Sequence, residues 1–293
     1  MIMMLIQVVI SGLVIGCVYG LIALGYSLIY KASGLMSFAQ GDMLTLGAFL
    51  GYSFYGIFKL PFVISLVCVV LCMFFLGLFL EKAIIRTLLK NHVLPVYIVL
   101  ATIAISYIIQ NAAMLIWGTQ TLSFPQIFPI PLVGVLGVKV QPEALFCILM
   151  SLVCMVALHI FMKYTRFGTA MRAAAMDATA ARACGINVSF STGVTWGLSA
   201  GVAATGGILL GPIYGVYTML GAIIGRKGFS SAVIGGFGNM YGAIVGGILL
   251  GLVETCTSAY ISSAYKDIIS YSVLLLFLFI KPTGLFNEQA LTD

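Results

Sequence analysis

Eight times between residues 5 and 281 the chain runs for roughly twenty residues almost without charge: 5–30, 36–58, 62–81, 95–117, 143–162, 190–211, 241–260 and 266–281. A further short apolar segment covers 213–225. A helix needs about 20 apolar residues to cross a hydrocarbon core. Charged residues make up 8% of the chain and hydrophobic ones 62%, with a mean hydropathy of +1.17. A soluble domain carries about 25% charged residues, so no soluble globule fits. The reading is an all-α, polytopic integral membrane bundle. It has about eight transmembrane helices, one short broken or re-entrant segment and pseudo-repeated halves, all within a single transmembrane domain spanning 1–293. The stretch Met1–Val9 carries no basic residue and no small-residue cleavage pattern, so it is expected to open the first span rather than act as a removable signal.

Thirty-three glycines punctuate these runs, many four residues apart: Gly12/Gly16/Gly20, Gly47/Gly51, Gly197/Gly201, Gly207/Gly211/Gly215 and Gly238/Gly242/Gly246. Small residues at that spacing let helix backbones approach closely in lipid, where dispersion and weak hydrogen bonds must hold helices together. Tight packing of many helices is implied. No segment is long or polar enough for an extramembrane catalytic domain.

The basic residues set an orientation. Lys31, Lys82, Arg86, Lys90, Lys163, Arg166, Arg172, Arg182 and Lys281 fall on one side of the expected spans, and Lys59, Lys139 and Lys266 on the other. Arg226 and Lys227 are left unassigned. The positive-inside rule makes the richer side cytoplasmic. The C-terminus is then inside, and the N-terminus outside if the short segment crosses. Loop 118–142, with Pro125, Pro129, Pro131 and Pro142, faces outward as a stiff, nearly uncharged lid or platform.

The stretch 163–188 is the most charged in the chain: four basic residues meet one acid, Asp177. Its Ala, Met and Arg are strong helix formers. Asp177 can cap a short helix over 178–184, and Gly185 stands where a left-handed residue would end it. Two readings remain, a plain basic connector or a docking element for a soluble partner.

Two glycine-broken regions, Tyr30–Gly51 and Gly225–Gly247, occupy comparable places in the two halves. Paired interruptions of this kind point to a translocation site, since unwound backbone at membrane depth is tolerated only against protein or a water-filled cavity. Ordinary interhelical turns are the competing reading. Intramembrane ionisable residues are functional candidates. Asp42 suits either a helix cap or a transport role, Glu254 can snorkel from the outer end of its span, His159 reads as interfacial, and His92 lies in a basic loop. The net charge of +6 is scattered over helix ends without aromatic interleaving and does not signal nucleic acid. The seven cysteines form no Cys-x-x-Cys pair, so neither a metal site nor a disulfide is expected. No His-Glu-x-x-His, no nucleophile constellation and no Gly-x-x-x-x-Gly-Lys-Ser/Thr loop occurs, and no cofactor is implied. A pore for an uncharged or zwitterionic solute, powered by another subunit, fits better than an ion-driven carrier or a membrane enzyme.

Four ordered motifs then carry a resemblance. Gly20-Leu-Ile-Ala-Leu-Gly-Tyr-Ser-Leu-Ile-Tyr with Leu35-Met-Ser-Phe-Ala-Gln-Gly-Asp and Leu46-Gly-Ala is the first. Thr165-Arg-Phe-Gly-Thr-Ala-Met-Arg-Ala with Ala180-Ala-Arg and Cys184-Gly-Ile-Asn-Val is the second. Lys227-Gly-Phe-Ser-Ser-Ala-Val-Ile-Gly-Gly-Phe-Gly-Asn with Gly246-Gly-Ile-Leu-Leu-Gly is the third, and Lys281-Pro-Thr-Gly-Leu-Phe the fourth. Together they resemble the H-type permeases of branched-chain amino acid ABC transporters across essentially the whole chain. Gln40 stands where that family usually shows His, and Ser37 where it often shows Asn. Related permeases carry urea or short amides.

The resemblance implies a type II-like importer in the bacterial inner membrane. It implies a second, usually non-identical permease subunit, two cytoplasmic ATPases, a periplasmic or extracellular solute-binding protein, and surrounding lipid. It assigns coupling to Arg166, Phe167, Gly168, Met171, Arg172, Asp177, Arg182 and Gly185 within loop 163–189. It assigns the path to Ser37, Phe38, Gln40, Gly41, Asp42, Gly235, Gly236 and Asn239.

Overall fold

The computed structural model describes residues 2–91, 93–128, 132–135 and 138–286. His92, Pro129 and Pro131 lie outside the described residues. In chain order the helices are α1 (Ile2–Ser33), α2 (Gln40–Gly51, extended by a π turn over Tyr52–Ile57), α3 (Phe62–Leu80) and α4 (Arg86–Lys90). They continue with α5 (Pro95–Trp117), α6 (Pro142–Tyr164), α7 (Arg166–Met176) and α8 (Ala178–Ala183). The second half holds α9 (Val188–Tyr214), α10 (Leu220–Gly235), α11 (Met240–Tyr260) and α12 (Lys266–Ile280). Between α5 and α6 a small antiparallel hairpin pairs β1 (Val133–Val135) with β2 (Val138–Val140), and Leu122 bridges to Val216.

Local chemistry explains the boundaries. Pro95 and Pro142 sit at the first positions of α5 and α6, where a missing N–H costs nothing. Asn187 and Asn239 cap α9 and α11 by accepting from backbone N–H groups. Gly118 and Gly215 end α5 and α9 with positive φ.

Among the described residues seven helices are long and apolar enough to cross a membrane: Met3–Ser33, Phe62–Lys90, Pro95–Trp117, Pro142–Tyr164, Val188–Tyr214, Met240–Tyr260 and Ser263–Ile280. α1 and α9 are buried along most of their length and form the centre, whereas α3, α5, α6 and α12 expose most of their apolar surface. The run 36–58 differs from a full span: its helix begins only at Gln40, after a break at 34–39, and is buried from its first residue. The short segment expected at 213–225 is the end of α9, a break at 215–219 and the start of a second short helix, α10, which continues to Gly235.

The two halves repeat with inverted direction. α1 carries Lys31 in its last turn, beside Lys163 and Arg172. α9 starts from that same basic end and finishes at Tyr214, beside Gln7 and Ser11 of α1. α1 packs along α11 as α9 packs along α3, and α10 crosses α1 as α2 crosses α9. α5 and α12 cover α2 and α10 respectively. The counterpart of the 34–39 break is therefore 215–219, not the glycine-rich 236–239, which joins α10 to α11. The α1–α11 seam needs glycine: a Cβ on Gly251 would fall 2.4 Å from the Gly16 Cα.

Candidate functional site

Both short helices begin in the interior, and their first turns meet. The Thr45 hydroxyl accepts from the Gly221 N–H at 2.8 Å. A Cβ on Gly221 would lie 1.9 Å from the Gly41 carbonyl oxygen, and one on Gly225 2.6 Å from the Gly41 Cα. Two helix N-termini, each carrying the partial positive charge of its helix dipole, thus border a cavity of about 530 Å³. Its walls include Tyr26, Phe38 and Phe229, with Asp42 and Arg226 as its charged groups. α12 closes one side with Tyr271 and Leu274.

Asp42 does not cap α2; its helix has no side-chain cap. Its carboxylate instead accepts from the Ser106 hydroxyl and from Gln110 Nε2 at 3.0 Å, both on α5. Asp42 is 2% exposed. A buried carboxylate held by two neutral donors keeps acceptor capacity for a third partner.

The path residues read from the sequence divide. Phe38, Gly41 and Asp42 line the cavity. Gln40 lies behind it, donating to the Ser199 carbonyl at 3.0 Å, with Ser199 Oγ 3.0 Å from its Oε1. Ser37 is buried outside the cavity wall. Gly235, Gly236 and Asn239 are not brought to it: they sit at the far end of α10, where Gly235 packs on Gly242 and Asn239 caps α11. Sequence reasoning missed Tyr26, Ser106, Gln110 and Gly221; it placed Gly225 and Arg226 in a glycine-broken region without naming them as path residues. The four-residue spacing of Gly221 and Gly225, and a basic pair inside an apolar stretch, were the available signals.

Glu254 does not snorkel. It is 5% exposed and accepts from Tyr19 Oη at 2.8 Å and from Lys227 Nζ, which also pairs with Asp267 at 2.8 Å. Arg226 and Lys227, adjacent in sequence, thus serve different places, the cavity and a buried ion network. His159 lies at the basic end with its Nε2 3.1 Å from Tyr241 Oη.

At that end α7 and α8 form an amphipathic pair across the bundle. Thr165 caps α7, accepting from Gly168 N at 3.0 Å. Asp177 caps α8, accepting from Thr179 N at 2.7 Å and Ala180 N at 3.0 Å. The Ala180 and Thr179 N–H groups hold its carboxyl below the usual carboxylate value. Gly185 follows with φ +81°. Met171, Ala174 and Ala181 face inward and are buried. Gly168 is pressed onto α6, where a Cβ would lie 2.4 Å from the Met162 carbonyl oxygen. Arg166, Phe167, Met176 and Arg182 point away from the bundle. Among the described residues no group of three or more His, Cys, Asp or Glu is placed to hold a metal ion.

Inverted halves, paired short helices bordering an open, aromatic-walled cavity and a capped helix pair on one face define a multi-pass membrane transport protein. Residues 8–278 match the family described as branched-chain amino acid transport system / permease component, and the chain belongs to that family. The family is one of transport permeases, not of enzymes. The chain is 30% identical to the high-affinity branched-chain amino acid transport system permease protein LivH of Salmonella typhimurium, over 96% of this chain and 95% of that protein. It is 29% identical to BraD of Pseudomonas aeruginosa over the same shares. It is 25% identical to a probable LivH of Methanocaldococcus jannaschii, over 90% and 87%. No solved structure matches the chain.

Proposed function

We propose that the chain is the membrane-spanning permease subunit of a binding-protein-dependent ABC importer for branched-chain or other small apolar amino acids in the bacterial inner membrane. The basic end is cytoplasmic by the positive-inside rule. The outward-facing side chains of α7 and α8, Phe167 and Arg182 among them, are this chain's docking face for the importer's two ATPase subunits. A second permease subunit completes the path, and a solute-binding protein delivers cargo to the hairpin end.

One observation carries the substrate class. The cavity where α2 and α10 begin holds one carboxylate, Asp42, and one guanidinium, Arg226, among aromatic walls. Such a set matches an ammonium, a carboxylate and an apolar side chain. The two helix N-termini add to the attraction for the carboxylate. Urea or a short amide, the second substrate class, has no use for either charge. An ion-coupled carrier is less well supported, because Glu254, the other buried acid considered, is committed to Lys227 and Tyr19.

The test is ATP-driven uptake by proteoliposomes holding the chain with its partner permease, ATPases and binding protein. Leucine is compared with leucinamide and urea. Removing one charge-assisted contact costs about 1.5–3 kcal/mol, so Asp42→Asn and Arg226→Gln should each lower leucine uptake at limiting substrate roughly tenfold or more. Equal transport of leucine and urea, or unchanged leucine uptake in both variants, refutes the assignment.

A further inference from the structure

A second concavity, of about 240 Å³, opens at the basic end, where α1, α6, α7 and α11 come together. Lys31, His159, Lys163 and Arg172 line it with Asn239 and Tyr241. No carboxylate is among its described lining residues. Arg172 is poorly satisfied there. Its Nη2 makes only long contacts, 3.3 Å to the Lys163 carbonyl and 3.4 Å to Thr169 Oγ1. Its Nε is buried and finds no hydrogen-bond partner among the described residues. An unpaired buried guanidinium N–H is costly and points to an anion.

The surroundings identify the anion's source. On α6, Leu152 and Val156 are exposed on the stripe that continues, at helical spacing, to His159 and Lys163. On α11, Val245 and Leu249 continue the face of Tyr241 in the same way. α6 and α11 both pack on α1, and His159 and Tyr241 join them at the basic end. The concavity is thus the head of an apolar groove exposed on the bundle's flank. Basic pockets between helix ends at the cytoplasmic leaflet recognise anionic lipid headgroups.

We propose that this concavity binds the phosphodiester headgroup of an anionic glycerophospholipid, with Lys163 and Arg172 as principal contacts and the acyl chains along α6 and α11. The bound lipid ties α7, the element that meets the ATPases, to α6 and α11. The site therefore makes coupling sensitive to membrane composition. The inference needs the chain to sit in a membrane and is independent of what it carries.

Native mass spectrometry of the full-length chain, titrated with phosphatidylglycerol, phosphatidylcholine or inorganic phosphate, tests it. The expected result is one phosphatidylglycerol retained per chain, well below the phosphatidylcholine concentration that gives the same occupancy. At about 1 kcal/mol per basic residue, Lys163→Gln/Arg172→Gln should weaken retention about thirtyfold. Lys139→Gln, in the hairpin at the other end, should leave it unchanged. Equal retention of the two lipids, full retention by the double variant, or displacement of the lipid by millimolar phosphate overturns the proposal. Should the double variant fail to insert, the comparison of lipids on the unaltered chain decides alone.

Discussion

The buried network around Lys227 yields an asymmetric prediction. Lys227 and Glu254 side chains are 3% and 7% exposed, and Asp267, the second acid on Lys227, is 55% exposed. Removing one member of a buried ion pair costs about 3–5 kcal/mol, while replacing both with apolar groups is close to neutral. Lys227→Met strands the Glu254 carboxylate with only the Tyr19 hydroxyl, so it should cost about 3–5 kcal/mol. Glu254→Gln leaves Lys227 still bound to Asp267 and able to donate to the new amide, so the loss should be near 1–2 kcal/mol. Lys227→Met with Glu254→Leu should recover most of the loss. Unfolding free energies in mixed micelles, measured for all three variants, give the order. If Lys227→Met is no worse than Glu254→Gln, or the double variant is as unstable as Lys227→Met, Lys227 and Glu254 do not depend on each other as their buried pairing requires.

Two further perturbations act on the α7–α8 pair. Gly168→Ala forces a methyl group against the Met162 carbonyl; the chain should still insert, but ATPase co-purification and substrate-stimulated hydrolysis should fall several-fold, and unchanged values of both would place the ATPase contact elsewhere. The lowered Asp177 pKa means that its capping contribution is fully present above the unfolded value of about 3.9 and is lost as pH falls through the folded value; protease resistance of the α7–α8 segment should be flat from neutral pH to about 4.5, decline below, and lose this dependence in Asp177→Asn.

The helical class, the α8 caps and the family were legible because each rests on local chemistry. Twenty-residue apolar runs state their own length requirement. Asp177 and Gly185 flank a six-residue helix that needs no distant partner. The depth at which α2 begins was not legible. The run 36–58 is as apolar as a full span, and only the burial of Gln40 against Ser199, 159 residues away, reveals the re-entry. The pairing of the breaks misled for a similar reason: 236–239 is richer in glycine than 215–219, yet it lies at a helix turn on the basic face. The split between Arg226 and Lys227 follows from one helical step of about 100°, which periodicity could not orient without knowing what packs on each side.

The contact of Gly41 with Gly221 and Gly225 is made by main chain on main chain. Apart from the Thr45 hydroxyl on the Gly221 N–H, no side chain is wedged between the two backbones, so a roll of one short helix over the other would disturb few packed methyl groups. A reorientation of one would change the angle of the other about this contact, and with it the shape of the cavity that both helices border. The same absence of side chains leaves no slack, and the smallest added group at that pivot would act as a wedge.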